Sequence, residues 1–206
     1  ELLKILLSSE YNEQIFFEIL GFLIIHMQKD NLATEFAQDL KKINFEELPA
    51  NFEGLRIVHI SDLHLGSFKS RHHILDRAVK IINHLEPDFI FFTGDLVNNN
   101  AWELKGWQTV LKKMVAKMGK YAVLGNHDYG DYVQWNEQDE KQANLTKLIR
   151  IHQSIGFQPL LNDAVELGDG CWLLGVENWG KAPFRQSGKL TETLSKVPAD
   201  AFKILL

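Results

Sequence analysis

From residue 55 onward the chain alternates short apolar runs with longer stretches of helical spacing. RIVHIS (56–61), DFIFFTGD (88–95) and YAVLGN (121–126) read as strands. RHHILDRAVKIINHL (71–85) reads as a helix, with Ile74, Leu75, Ala78, Ile81, Ile82 and Leu85 at helical spacing and Pro87 as its stop. WELKGWQTVLKKMVAKM (102–118) and DEKQANLTKLIRIHQSIG (139–156) predict two more helices. QPLLN, AVELG, CWLLGVEN and the last residues, FKILL, predict further strands. This order implies a largely parallel sheet covered on both faces.

Upstream, residues 1–40 read as a separate helical segment, and 41–54 as a linker punctuated by Pro49 and Gly54. The most hydrophobic stretch, IFFEILGFLIIHM (15–27), is too short for a spanning helix and carries Glu18 and His26. It is expected to be a packed or interfacial amphipathic helix, without the basic n-region of a signal peptide. Residues 55–206 form the main domain. A first residue, Glu1, that is not Met and an apolar last strand suggest a fragment cut at both ends.

Composition changes this picture little. At 206 residues, 45% hydrophobic and 24% charged, the chain suits one sizeable soluble domain. A net charge of −5 argues against a general nucleic-acid binder, which needs a basic face. Cys171, the single cysteine, excludes an internal disulfide and suits a buried position.

The chemistry collects where the first three strands end. Strand one ends in Ser61-Asp62-Leu63-His64, strand two in Thr93-Gly94-Asp95, and strand three in Gly125-Asn126-His127-Asp128. Asp62 and His64 are two apart, so strand period directs both to one side. Alone, that pair is either a capped surface turn or two metal ligands. Three successive strands delivering acid, imidazole and amide to one sheet edge favour a site, since sites in open α/β sheets form there. Oxygen and imidazole donors suit Mn, Fe, Co, Ni or Zn.

These blocks, ISDLHLG, FFTGDLVNN and VLGNHDYG, resemble the first three motifs of the calcineurin-like metallophosphoesterases: D-x-H, G-D-x-x and G-N-H-[DE]. GDYVQW and GVENWG resemble a bacterial branch of membrane-associated phosphodiesterases of the YkuE and YaeI type. The resemblance covers residues 55–206. It implies an α/β fold: a layered β-sandwich flanked by helices, here incomplete at the C-terminus. It also implies two divalent metal ions, with Asp62 and His64 on the first, Asp95 bridging both and Asn126 on the second. His127 would contact substrate and protonate the leaving alkoxide, Asp128 would orient His127, and a metal-bridging hydroxide would attack phosphorus. A later histidine and a G-H-x-H block, which the family pattern also requires, do not occur in residues 1–206.

The implied partner is a phosphodiester or phosphomonoester, with a membrane surface as a second partner. The implied location is membrane-associated or cytoplasmic, the family favouring the former. A catalytically inactive scaffold of the same fold is the alternative. Intact Asp62, His64, Asp95, Asn126 and His127 argue against it. Other polar residues have plainer readings. His59 is expected in the core or on a sheet face, His72 and His73 in solvent or at a substrate rim, and His84 and His152 on helix surfaces. Asn98, Asn99 and Asn100 form a polar loop. Glu177, Asn178 and Trp179 line the pocket or form a structural corner. Tyr129, Tyr132 and Trp135 are core residues or a substrate wall.

Overall fold

The computed structural model describes residues 16–25, 36–37, 40–45, 48–68, 72–181 and 185–206. Strands β4 (Arg56–Ser61), β5 (Phe89–Phe92), β6 (Gly119–Ala122) and β7 (Gln158–Pro159) lie side by side and parallel. Helices α1 (His72–His84) and α3 (Gln138–Ser154) supply two of the crossovers. A second sheet holds β8 (Asp163–Gly168), β9 (Cys171–Gly175) and β10 (Phe202–Leu205), in the order β10-β9-β8. A short helix, α4 (Leu190–Leu194), precedes β10.

Alternation along β4 and β5 builds two cores. Val58, Ile60, Ile90 and Phe92 face a helix-covered core with Leu75, Ala78, Ile82 and Leu148. Ile57, Phe89 and Phe91 face the other way and pack with Cys171 and Leu173 of the second sheet. Because β5 is covered on both sides, it is apolar throughout: all four of its residues are buried. Each fully buried side chain of this kind contributes about 1.5–3 kcal/mol. The result is the layered α/β architecture expected from the motifs.

The N-terminal expectations are corrected where residues are described. Phe16–Ile25 is strand β1, not helix, and pairs parallel to β4. Phe36–Ala37 (β2) and Leu40–Asn44 (β3) pair antiparallel to β1, completing a seven-stranded sheet. The stretch is rich in Phe and Ile, which favour strands, and Gly21 penalises a helix interior by about 1 kcal/mol. Gly21 lies in the register break between Ile19 and Phe22. The supposed linker is thus part strand, and its Leu48 and Phe52 are buried. The rest of the expected helix, including His26, lies outside the described residues.

The helix expected over 102–118 is also broken. A 3₁₀ turn covers Ala101–Leu104, Gly106 adopts φ +88°, and α2 spans only Gln108–Leu111. A left-handed residue cannot continue a right-handed helix.

His152, expected at the surface, is fully buried. Its position follows from period: Leu148, four residues earlier, is buried on the same face of α3. The ring lies between Phe92 and Phe157, with centroids at 5.7 and 6.3 Å. Neither ring nitrogen has a hydrogen-bond partner. Burial lowers its pKa from 6.5 to about 4. The unfolded chain therefore takes up a proton below pH 6.5 that the folded chain refuses until about pH 4. Stability is present above pH 6.5 and is lost through that window, by up to about 1.4 kcal/mol per pH unit. His152→Leu is expected to remove this loss. Urea unfolding at pH 7.5 and 5.0 should show the variant gaining stability relative to the parent mainly at the lower pH; a parallel pH dependence would contradict the assignment.

Candidate metal centre

The three loops leave the carboxyl ends of β4, β5 and β6 and interlock by backbone. The Asp62 amide donates to the Gly94 carbonyl (3.0 Å), His64 to Asp95 (2.9 Å) and Leu65 to Leu96 (3.0 Å). Asp62, His64 and Asp95 have φ of 56°, 44° and 59°. Non-glycine residues held there cost on the order of 1–3 kcal/mol each, and such residues cluster at functional sites. Since β4 ends at Ser61, the common aim of Asp62 and His64 comes from these left-handed turns and not from strand alternation.

His64 Nε2 lies 3.8 Å from both Asp62 Oδ1 and Asp95 Oδ2. Among the described residues, His64, Asp95 and His127 form the group whose donor atoms all lie within 4.8 Å of one another. The rings of His64 and His127 meet edge to face at 4.8 Å. Asp95 Oδ1 also accepts the backbone N–H of His127 (2.9 Å), joining the second loop to the third. This approach requires two glycines. A Cβ at Gly94 would stand 2.0 Å from the Gly125 nitrogen, and one at Gly125 would stand 2.2 Å from Asp95 Oδ1. Asn126 donates from its amide nitrogen to the Tyr132 hydroxyl (2.7 Å), which leaves its amide oxygen as the group able to coordinate.

His127 Nδ1 lies 2.7 Å from the Asn98 carbonyl oxygen. A carbonyl only accepts, so Nδ1 carries the hydrogen and Nε2 is the ring's acceptor nitrogen. The residue that orients His127 is therefore Asn98, through its backbone, and not Asp128. Asp128 is wholly buried, and its carboxylate accepts the amides of Asp95 (2.8 Å), Leu96 (2.9 Å), Val97 (3.3 Å) and Gly125 (3.0 Å).

Two residues that hold this arrangement were missed by sequence reasoning. Glu103 accepts the amides of Asn98 (2.7 Å), Asn99 (3.0 Å) and Asn100 (2.8 Å). Its signal was legible: Asn100 and Glu103 form a capping box. Asn144 of α3 accepts the Ala101 amide (2.8 Å) and donates to the Asn99 carbonyl (3.0 Å).

The remaining polar residues divide between support and rim. His59 is partly buried and contacts Thr93 Oγ1 at 2.6 Å. His72 stacks on Trp107 at 4.1 Å, and His73 and His84 are exposed. Tyr129 is buried and donates to Glu177 (3.0 Å), which also accepts from Asn162 (2.6 Å). Glu177 thus makes a structural corner, while Trp179 is exposed.

Electrostatics support a cation. The Asp62 carboxylate 3.8 Å away raises the pKa of His64, and the imidazole in turn lowers that of Asp62. Burial raises Asp95 above the usual carboxylate range. Burial, then the charge of Asp95, pushes Asp128 to about 7 against the pull of its backbone amides. A divalent cation supplies the counter-charge that these crowded carboxylates lack, and the carboxylate, imidazole and amide donors suit one. The residues present fit the metals that the motifs imply.

The four amides on Asp128 make a specific demand. In Asp128→Asn, one acceptor becomes a donor facing amide hydrogens. A loss of about 2–4 kcal/mol in folding stability is expected, on the scale of a buried charge-assisted network. Denaturant unfolding of the metal-free protein checks this. Unchanged stability would contradict this structural role for Asp128.

The family model described as calcineurin-like phosphoesterase matches residues 55–189. The chain is 39% identical over 88 residues to a transmembrane protein with metallophosphoesterase domain from Danio rerio, covering 43% of this chain and 20% of that one. It is 36% identical over 87 residues to the uncharacterized metallophosphoesterase YkuE of Bacillus subtilis (strain 168), covering 41% and 30%. It is 41% identical over 85 residues to the UDP-2,3-diacylglucosamine pyrophosphatase LpxG of Chlamydia trachomatis, covering 41% and 26%. Each match spans less than a third of the relative's length. With the three loop motifs placed together and a family model matched over most of the chain, this protein belongs to the calcineurin-like phosphoesterase family.

Proposed function

We propose that the site is a two-metal phosphohydrolase centre acting on phosphodiesters or phosphomonoesters. The observation that carries this is the position of Asp95. Its Oδ2 is 3.8 Å from His64, while its Oδ1 is tied to the loop bearing Asn126 and His127. One carboxylate thus stands between the donors of the first loop and those of the third. Asp62 and His64 would hold one ion, Asn126 would hold the other, and Asp95 would serve both. When bound, such ions neutralise phosphoryl charge and acidify water to a pKa near 7. His127 keeps its Nδ1 hydrogen on Asn98, so Nε2 is free to hold a proton and pass it to the leaving alkoxide.

Two relatives' names, a transmembrane protein and a pyrophosphatase of a diacylated sugar nucleotide, support a substrate held at a membrane. Among the described residues, no helix is long and apolar enough to cross one. A scaffold without catalysis is not favoured, because it has no use for Asp62, His64, Asp95, Asn126 and His127 together.

In a chain that also carries the later histidine and the G-H-x-H block of the family pattern, Asp95→Asn is expected to abolish two-metal binding. Metal content by plasma emission should fall from about two ions per chain; unchanged stoichiometry would remove Asp95 from the shared position. His127→Ala should keep its metal and lose about 10²–10⁴-fold in rate on alkyl phosphodiesters. The loss should be smaller on p-nitrophenyl esters, whose leaving group needs no proton. Equal losses would favour charge stabilisation, and lost metal would make His127 a ligand.

A further inference from the structure

Tyr132 is not buried, yet it touches both distinctive residues of the third loop. Its hydroxyl accepts the Asn126 amide hydrogen at 2.7 Å. Its ring lies over His127, with centroids 4.6 Å apart and planes inclined by 34°. His127 in turn meets His64 edge to face, so three rings run in a row from the first loop to Tyr132. Tyr132 remains 44% exposed, so core packing does not account for its place.

The backbone that presents it is pinned on both sides. Gly130, at φ +65°, turns the chain out of the 3₁₀ segment His127–Tyr129. Trp135 Nε1 donates to the Gly130 carbonyl at 2.7 Å. A Cβ at Gly130 would lie 2.8 Å from the Trp135 ring and 3.1 Å from the Asn99 carbonyl oxygen. Asp131 is held by Lys141 of α3 and by Arg185, whose Nε lies 3.0 Å from it. The Arg185 guanidinium lies 4.5 Å above the Tyr129 ring. A loop anchored by two cations and an indole presents Tyr132 in a fixed position.

We propose that Tyr132 is a positioning residue for the metal centre. Its hydroxyl, bound to the Asn126 amide nitrogen, holds that side chain in place with the amide oxygen left to coordinate an ion. Its ring limits the His127 imidazole to the plane set by the Asn98 carbonyl. Without the hydroxyl, the amide is free to flip and present hydrogens to a cation, which it cannot coordinate. Groups that orient a metal ligand typically contribute 10–100-fold in metal affinity. The inference rests on the metal-centre reading above.

The test uses Tyr132→Phe, which keeps the ring and removes the hydroxyl, and Tyr132→Leu, which removes both. In the metal-free protein, the Asn126 side-chain amide resonances should move in both variants, and the His127 ring resonances should move strongly only in Tyr132→Leu. Titration with Mn²⁺ should show about a 10-fold loss of affinity in Tyr132→Phe and no smaller a loss in Tyr132→Leu. Unmoved Asn126 resonances, or Mn²⁺ affinity equal to the parent's in both variants, overturn the proposal. Failure of the unaltered chain to bind Mn²⁺ overturns the metal-centre reading instead, and the proposal with it. The metal-free spectra then still show whether the Tyr132 contacts exist.

Discussion

The close contact between the second and third loops governs everything at this site. Gly94 and Gly125 let two backbones meet where no side chain fits, and the Asp128 carboxylate closes the junction by taking amides from both. That carboxylate is fully buried and shielded from bulk solvent. Its four amides are the substitute, and losing any of them is costly. Asp95 starts its side chain from this junction, so its direction is set by a structural acid one loop away. The family position that suggests an orienter for the histidine thus holds a residue that orients backbone.

Rigidity at this junction matters because the neighbouring residues are strained. Asp62, His64 and Asp95 all occupy left-handed backbone. Such conformations persist only where surrounding contacts impose them. The contacts here are the amide-to-carbonyl bonds between the first two loops, Glu103 on three consecutive amides, and Asn144 reaching across from α3. Below them, apolar strands covered on both faces give the loops a base that does not yield. The chain from sequence to chemistry is short: alternating apolar residues make the layers, and the layers deliver three strand ends to one edge. Glycines and buried carboxylates then let those ends converge.

Much of this was legible from residues 55 onward. β4, β5, α1 and α3 follow from apolar period, and the three loop motifs identify the edge that carries the site. What period could not supply was competition between neighbours. The Phe- and Ile-rich stretch 16–25 joins a sheet because an edge of β4 is open to it, a fact no local window contains. The expected second helix fails at Gly106, whose left-handed backbone a composition-based reading treats as tolerable. His152 looked like a surface residue because it is polar, although its spacing from Leu148 places it inside. Partners distant in sequence, such as Asp128 with Leu96 or His127 with Asn98, cannot be read from spacing at all.

The central claim is that Asp95 is shared between two ions. Anomalous diffraction from crystals grown with Mn²⁺ tests it most directly. The account predicts two peaks about 3.5–4 Å apart with the Asp95 carboxylate between them. One peak should be flanked by Asp62 and His64, the other by Asn126, with His127 bound to neither. A single peak enclosed by His64, Asp95 and His127 would contradict it.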